Sequence, residues 1–178
     1  MKTINDIDIT DEYLKNEKYS FQLVLTKKLD SISSDFNQEI INEIVLWKVN
    51  RYTELEIDTL LLLNTIRKDD EILNTSLTKQ ILEQLLITKG IQLPMASTIL
   101  RFKNPKLYQI IDQRVFRFIY GENMPKYFGS IESQIVLYLE YLEKLKNICE
   151  EKQINFELSD RIIYELDKEY NKDEKIKY

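Results

Sequence analysis

Apolar residues recur at three- and four-residue steps along most of this chain, and very little interrupts them. Only three Gly and three Pro stand among 178 residues, so helices can extend without a break and turns are few. The pattern is clear in Phe36, Ile40, Ile41, Ile44 and Val45, and again in Ile131, Ile135, Leu139, Leu142, Leu145 and Ile148. Each set lays one apolar stripe along a helix, which needs a neighbour to bury it. The expectation is an all-α single domain over 1–178 with about eight helices. A chain of this length buries a sizeable core without disulfides or metals.

Local signals place the elements. Thr10 followed by Asp11 and Glu12 suits a helix start, and Phe21, Val24, Leu25 and Leu29 continue a helical spacing until Ser31–Asp35 breaks it. The helix from Phe36 runs toward Arg51 and carries Trp47, read as a core residue before a base-stacking one. Leu55 to Ile66 forms a strongly apolar helix whose Leu60–Leu63 run implies burial on most sides. Ile72 to Ile87 forms the next, stopped near Gly90. Pro94 fits the first turn of a short helix that takes in Met95 to Phe102. Tyr108 to Ile111 leads as a brief extended piece into Asp112, and Val115 to Tyr120 is helical again. After the loop Gly121–Gly129, Ser130 opens the longest helix and Ser159 caps the last, with a frayed tail from Asn171. Tyr138 and Tyr141 on the long helix read as packing groups with their hydroxyls in water.

The residue types that are missing limit the chemistry. Histidine is absent, which removes Ser-His-Asp and Cys-His sites, histidine-bound metals and a histidine base. Cys149 is the only cysteine, so no internal disulfide, four-cysteine zinc site or cysteine-ligated iron–sulfur cluster can form within the chain. Reactions must run on Asp, Glu, Lys, Tyr, Ser or backbone groups, and the chain calls for no metal and no cofactor. Glu39 and Glu43 share a helix face at i and i+4 but lack histidine partners, and they read as a solvated face. No stretch approaches the roughly eighteen consecutive apolar residues of a membrane span, and the first residues lack an apolar signal core. A reducing cytoplasm is the expected setting.

Charge is unevenly placed. The net charge is −5, yet Lys89 to Lys126 holds seven basic residues against Asp112 and Glu122. That segment is +5, which leaves −10 for the remainder. An acidic protein with one basic segment is compatible with a local phosphate-binding face.

Within this segment Gly90-Ile91-Gln92, Ala96 and Ile111-Asp112-Gln113-Arg114-Val115 resemble the helix-hairpin-helix DNA glycosylase superfamily. Its members carry a helix, a Gly-hydrophobic-Gly hairpin, a second helix and then an acid after a short loop. The resemblance puts the helix-hairpin-helix at about 78–103 and the acid-bearing segment at 108–120. Pro94 falls where bifunctional members hold a lysine, and Asp112 lies eighteen positions further on, the family's usual interval. Asp160-Arg161 looks like a structural pair late in the domain.

The resemblance implies base excision from DNA, with duplex gripped at the hairpin and the target nucleotide extruded. Backbone N–H groups at a glycine hairpin can hold a phosphate and so position the strand. Asp112 would be the essential carboxylate, stabilising positive charge on the deoxyribose or activating water. Lys89, Gly90, Gln92, Arg101 and Lys103 would lie near phosphates, with Arg114 or Arg117 flanking the pocket. Asp112 also has the sequence position of a helix N-cap, and one carboxylate can serve both roles. Pro94 has no amine for Schiff-base chemistry, which implies a monofunctional enzyme. Gln92, in place of the second hairpin glycine, crowds the phosphate position. The rival readings are a glycosylase fold kept as a catalytically inactive DNA- or protein-binding module, and an all-α interaction domain whose motif is coincidental.

Overall fold

The computed structural model describes residues 21–33, 35–49, 53–125 and 128–174. Among them the protein is all-helical, with eight α-helices, a short 3-10 turn and no strand. The helix start at Thr10, Arg51 and Lys126 lie outside the described residues. The chain divides into two compact units, Met1–Tyr52 and Thr53–Tyr178. The interval 78–103 and the acid-bearing segment 108–120 both belong to the second.

In the first unit α1 (Leu23–Asp30) packs on α2 (Gln38–Lys48). Asn37 caps α2 by accepting the Ile40 N–H at 3.0 Å, which leaves the expected break between the two helices. Trp47 serves as packing between them. Its indole N–H donates to Thr26 Oγ1 at 2.9 Å and its ring meets Phe21 edge to face at 5.3 Å. Glu43 forms an ion pair with Lys28 across the helix pair, while Glu39 stays exposed.

The second unit holds α3 (Ile57–Leu63), α4 (Thr75–Ile87), α5 (Leu93–Lys103), α6 (Gln113–Tyr120), α7 (Ile131–Lys152), the 3-10 turn Phe156–Leu158 and α8 (Ser159–Tyr170). Helix α4 lies against α3, α5 and α7, and α6 lies against α8. Thr78, Ile81, Leu82 and Leu85 bury the inner face of α4, and Ile135, Tyr138, Tyr141, Leu142, Leu145 and Cys149 that of α7. Leu93, Ala96 and Leu100 of α5 complete this core with no exposed surface.

Three local expectations change. The leucine run of α3 is not buried on most sides, since Leu61 is 61% exposed and only Thr59 and Leu63 of this helix are buried. A seven-residue helix that packs chiefly on α4 has one covered face whatever its composition. Helix α4 begins at Thr75, because Asn74 accepts the Leu77 N–H at 3.0 Å and so sets the first turn. Ser159 is the first residue of α8 and not its cap; its hydroxyl donates back to the Phe156 carbonyl at 2.8 Å within the 3-10 turn. The long helix starts as its sequence implies, through reciprocal bonds between Ser130 and Ser133.

The end of α5 is held by a residue whose role the sequence does not announce. Asn104 is fully buried. Its amide donates to the carbonyls of Arg67 and Asp70 at 2.7 and 3.0 Å, and its Oδ1 accepts the Lys106 N–H at 2.9 Å. One side chain thereby satisfies the turn after α3 and the start of the loop after α5. Asn104→Ala leaves all three backbone groups without this partner, and roughly 2–3 kcal/mol of stability should be lost. Urea unfolding of the variant against wild type measures the loss.

Candidate active site and nucleic-acid interface

The hairpin turn follows from one glycine. Gly90 has φ 89, a left-handed conformation that costs side-chain-bearing residues energy. A Cβ here would also sit 3.1 Å from Thr53 Oγ1. The turn closes through Ile91 N–H donating to the Thr88 carbonyl at 3.1 Å. Lys89, Gly90 and Gln92 are all exposed. Gln92 is the N-cap residue of α5 with extended backbone, and its side chain makes no capping bond. Pro94 occupies the first turn of α5, and its carbonyl accepts the hydroxyls of Ser97 and Thr98, both at 2.8 Å.

The segment before Asp112 has no regular secondary structure, is largely buried and is held at nearly every residue. Tyr108 shares a hydrogen bond with Thr78 at 2.8 Å. The hydroxyls of Tyr138 and Tyr141 donate to the carbonyls of Gln109 and Ile110 at 2.9 and 2.6 Å. Ile111 N–H donates to Ser97 Oγ at 3.2 Å. The two tyrosine hydroxyls are thus dry, contrary to the expectation of wet ones, because the carbonyls of this buried segment need donors that α7 can supply. Burial pushes both phenols well above their usual value, so they remain neutral.

Asp112 caps α6, its Oδ1 accepting the Val115 N–H at 2.8 Å. It is half-buried. Burial pushes its carboxyl above the usual aspartate value, against the N–H groups of Val115 and Arg114 and the charge of Arg114, while Asp167 adds to the rise.

The arginines divide. Arg117 is buried and faces Asp167 with both edges of its fork, Nε to Oδ1 at 2.6 Å and Nη2 to Oδ2 at 2.8 Å. Arg114 reaches the same Oδ2 through Nη1 at 3.0 Å, and Asn171 donates to Oδ1 at 2.9 Å. Burial alone would raise the Asp167 carboxyl, but the bonds from Arg117, Asn171 and Arg114 and the charge of Arg117 hold it below the usual value. Arg101 is also buried, with Nη2 on the Glu157 carbonyl at 3.0 Å and Nε 3.6 Å from Asp160 Oδ2. Asp160 therefore pairs with Arg101 through its side chain and takes only the backbone N–H of Arg161. Lys103, half-buried, donates to Asn64 Oδ1 at 2.7 Å.

Two of the residues expected at the DNA face, Arg101 near phosphates and Arg117 flanking the pocket, are thus internal struts. A guanidinium paired with a buried carboxylate would leave that charge unpaired if it turned to a ligand. Lys89, Gly90 and Gln92 stand together at the exposed turn, while Asp112 and Arg114 stand at the start of α6 and Arg117 in its last turn. Asp167 had one legible signal, its place four residues after buried Ile163 on the inner face of α8. Ser97, Tyr138 and Tyr141 had none, since a hydroxyl on an apolar stripe does not name its acceptor. Among the described residues no three Cys, Asp or Glu side chains converge to hold a metal ion, and no helix is long and apolar enough to cross a membrane.

Compared with known proteins, the chain matches no family model, no curated protein and no solved structure.

The Asp167 cluster makes stability pH-dependent. A carboxyl held low in the fold contributes stability above its unfolded value, about 3.9 for aspartate, and loses it as pH falls through the folded value. Asp167→Asn leaves buried guanidinium charge uncompensated and should cost roughly 3 kcal/mol at neutral pH. The deficit relative to wild type should shrink as the pH is lowered below that range, which denaturant unfolding at a series of pH values measures.

Proposed function

We propose that the second unit is a helix-hairpin-helix DNA-glycosylase-like domain that hydrolyses the N-glycosidic bond of a damaged or modified base in duplex DNA. Asp112 is its essential carboxylate. The observation that carries the reading is the pair of hydrogen bonds made by Ser97. Its hydroxyl donates to the Pro94 carbonyl at 2.8 Å and accepts the Ile111 N–H at 3.2 Å. One side chain thereby ties Pro94 to Ile111, the residue before Asp112, and the resemblance assigns positions 94 and 112 to one reaction.

Loss of the base leaves positive charge on the deoxyribose, and a carboxylate beside it stabilises that charge or takes a proton from the attacking water. Asp112 serves here with one oxygen committed to the cap of α6, which fixes its direction. Pro94 has no amine, so strand cleavage through a Schiff base has no nucleophile at that position. The phosphate grip falls to the exposed Lys89–Gln92 turn, with Lys103 and Arg114, because Arg101 and Arg117 are spent inside the fold.

That loss of two surface cations also favours a second reading, a catalytically inactive glycosylase fold that binds DNA or a protein. Gln92, exposed where the family holds a glycine, points the same way.

Duplex oligonucleotides bearing uracil, alkylated, oxidised or hypermodified bases, treated with alkali after incubation, separate the two. The enzyme should open one class of duplex, and Asp112→Asn should lower that rate by ~100-fold or more. Asparagine keeps an acceptor for the Val115 N–H and removes a charge that burial disfavours, so the variant's melting temperature at neutral pH should not fall. Uncut duplexes throughout, with binding that weakens steeply as salt rises, identify the binding module.

A further inference from the structure

We propose that the first unit is a dimerisation module, in which α2 packs on α2 of a second copy of this chain across a two-fold axis near Val45. The inference stands apart from the glycosylase reading, which concerns the second unit. Helix α2 is apolar on two sides. Ile40, Ile44 and Trp47 recur at helical steps on the side of α1 and are half-buried, with Glu43 among them in its ion pair with Lys28. Ile41 and Val45 each come one residue later, which places them ~100° further round the helix, and Val49 continues their stripe at i+8. These three are 42%, 54% and 53% exposed, Leu46 beside them is 40% exposed, and no residue of α2 is buried. A helix with apolar residues on both sides calls for cover on both.

Charge selects the second copy as that cover. Glu43 is held on the α1 side by Lys28, and Glu39 lies about a third of a turn away from the stripe. The stripe is bordered by Gln38, Asn42 and Lys48, all exposed, and holds no carboxylate. A chain of net charge −5 repels its own copy over much of its surface. On this face two copies meet without that repulsion, whereas a strongly charged partner would find only Lys48 to recognise. The stripe is also self-complementary about a two-fold axis. Ile41 of each chain then meets Val49 of the other, Val45 meets Val45, and the antiparallel helices set opposite dipole ends side by side. Area agrees. With Val24 and Phe36, which are 57% and 63% exposed, these residues leave on the order of 500 Å² of apolar surface open, about the apolar share of the ~800 Å² that each partner of a standard interface buries.

Sedimentation velocity of the full chain, from micromolar to millimolar concentration, measures its mass. The wild type should pass reversibly from one chain to two as concentration rises. Val45→Glu and Val45→Lys each set like charges face to face on the axis and should stay at the mass of one chain throughout. Mixed in equal amounts, the two variants should recover the mass of two chains, because opposite charges then meet; a variant that had lost its fold would give no such recovery. Val136→Glu, at a valine of α7 that is 43% exposed in the second unit, should associate as the wild type does. A wild type that remains a single chain at every concentration overturns the inference and leaves the face to a different protein. A dimer that survives both Val45 variants, a mixture that does not recover, or an equal loss in Val136→Glu overturns it as well.

Discussion

A buried stretch of irregular backbone survives only if its polar groups find partners inside the protein, and the segment 108–112 is such a stretch. The carbonyls of Gln109 and Ile110 accept the hydroxyls of Tyr138 and Tyr141, and the Ile111 N–H rests on Ser97. These bonds come from two different helices, α7 and α5. Helix α7 must therefore lie where its tyrosines reach the segment, and α5 must present its first turns to the other side. The direction of Asp112, the first residue after this segment, is inherited from that arrangement.

A second constraint comes from buried charge. Asp160 and Asp167 of α8 lie on its inner face beside Ile163, and each requires a cation there. Arg101 from α5 and Arg117 from α6 meet the requirement. Breaking a buried pair leaves an uncompensated charge, which is far more costly than the pair's net gain. These arginines are thus fixed in the interior, and the basic segment between α4 and α6 presents less positive charge to solvent than its composition implies. Of the cations that remain, Lys89 stands at the Gly90 turn, Lys103 and Lys106 at and beyond the end of α5, and Arg114 in the first turn of α6.

Much of the helical plan was legible before the structure because periodicity and punctuation are local properties. The apolar steps of α4 and α7, Pro94 in the first turn of α5, Gly90 in a left-handed turn and Ser130 at the head of α7 follow from backbone chemistry within a few residues of each. The same locality explains the errors. The leucines of α3 look buried by composition, but a short helix exposes whatever its neighbours do not cover. Ser159 has the chemistry of a cap, yet Asn155 starts a 3-10 turn ahead of it by accepting the Glu157 N–H at 2.9 Å.

Alone, the sequence determined that this chain is helical, where most helices begin and end, and that an acid stands at the head of α6 with a glycine turn upstream. Periodicity and capping require nothing beyond neighbouring residues. Only the tertiary structure decided which arginines are spent on aspartates fifty or more positions away, which tyrosines hold the segment before Asp112, and that Asp112 is half-buried. Those outcomes depend on contacts between distant helices, and the same arginine serves a phosphate or a buried carboxylate according to which one the packing brings within reach.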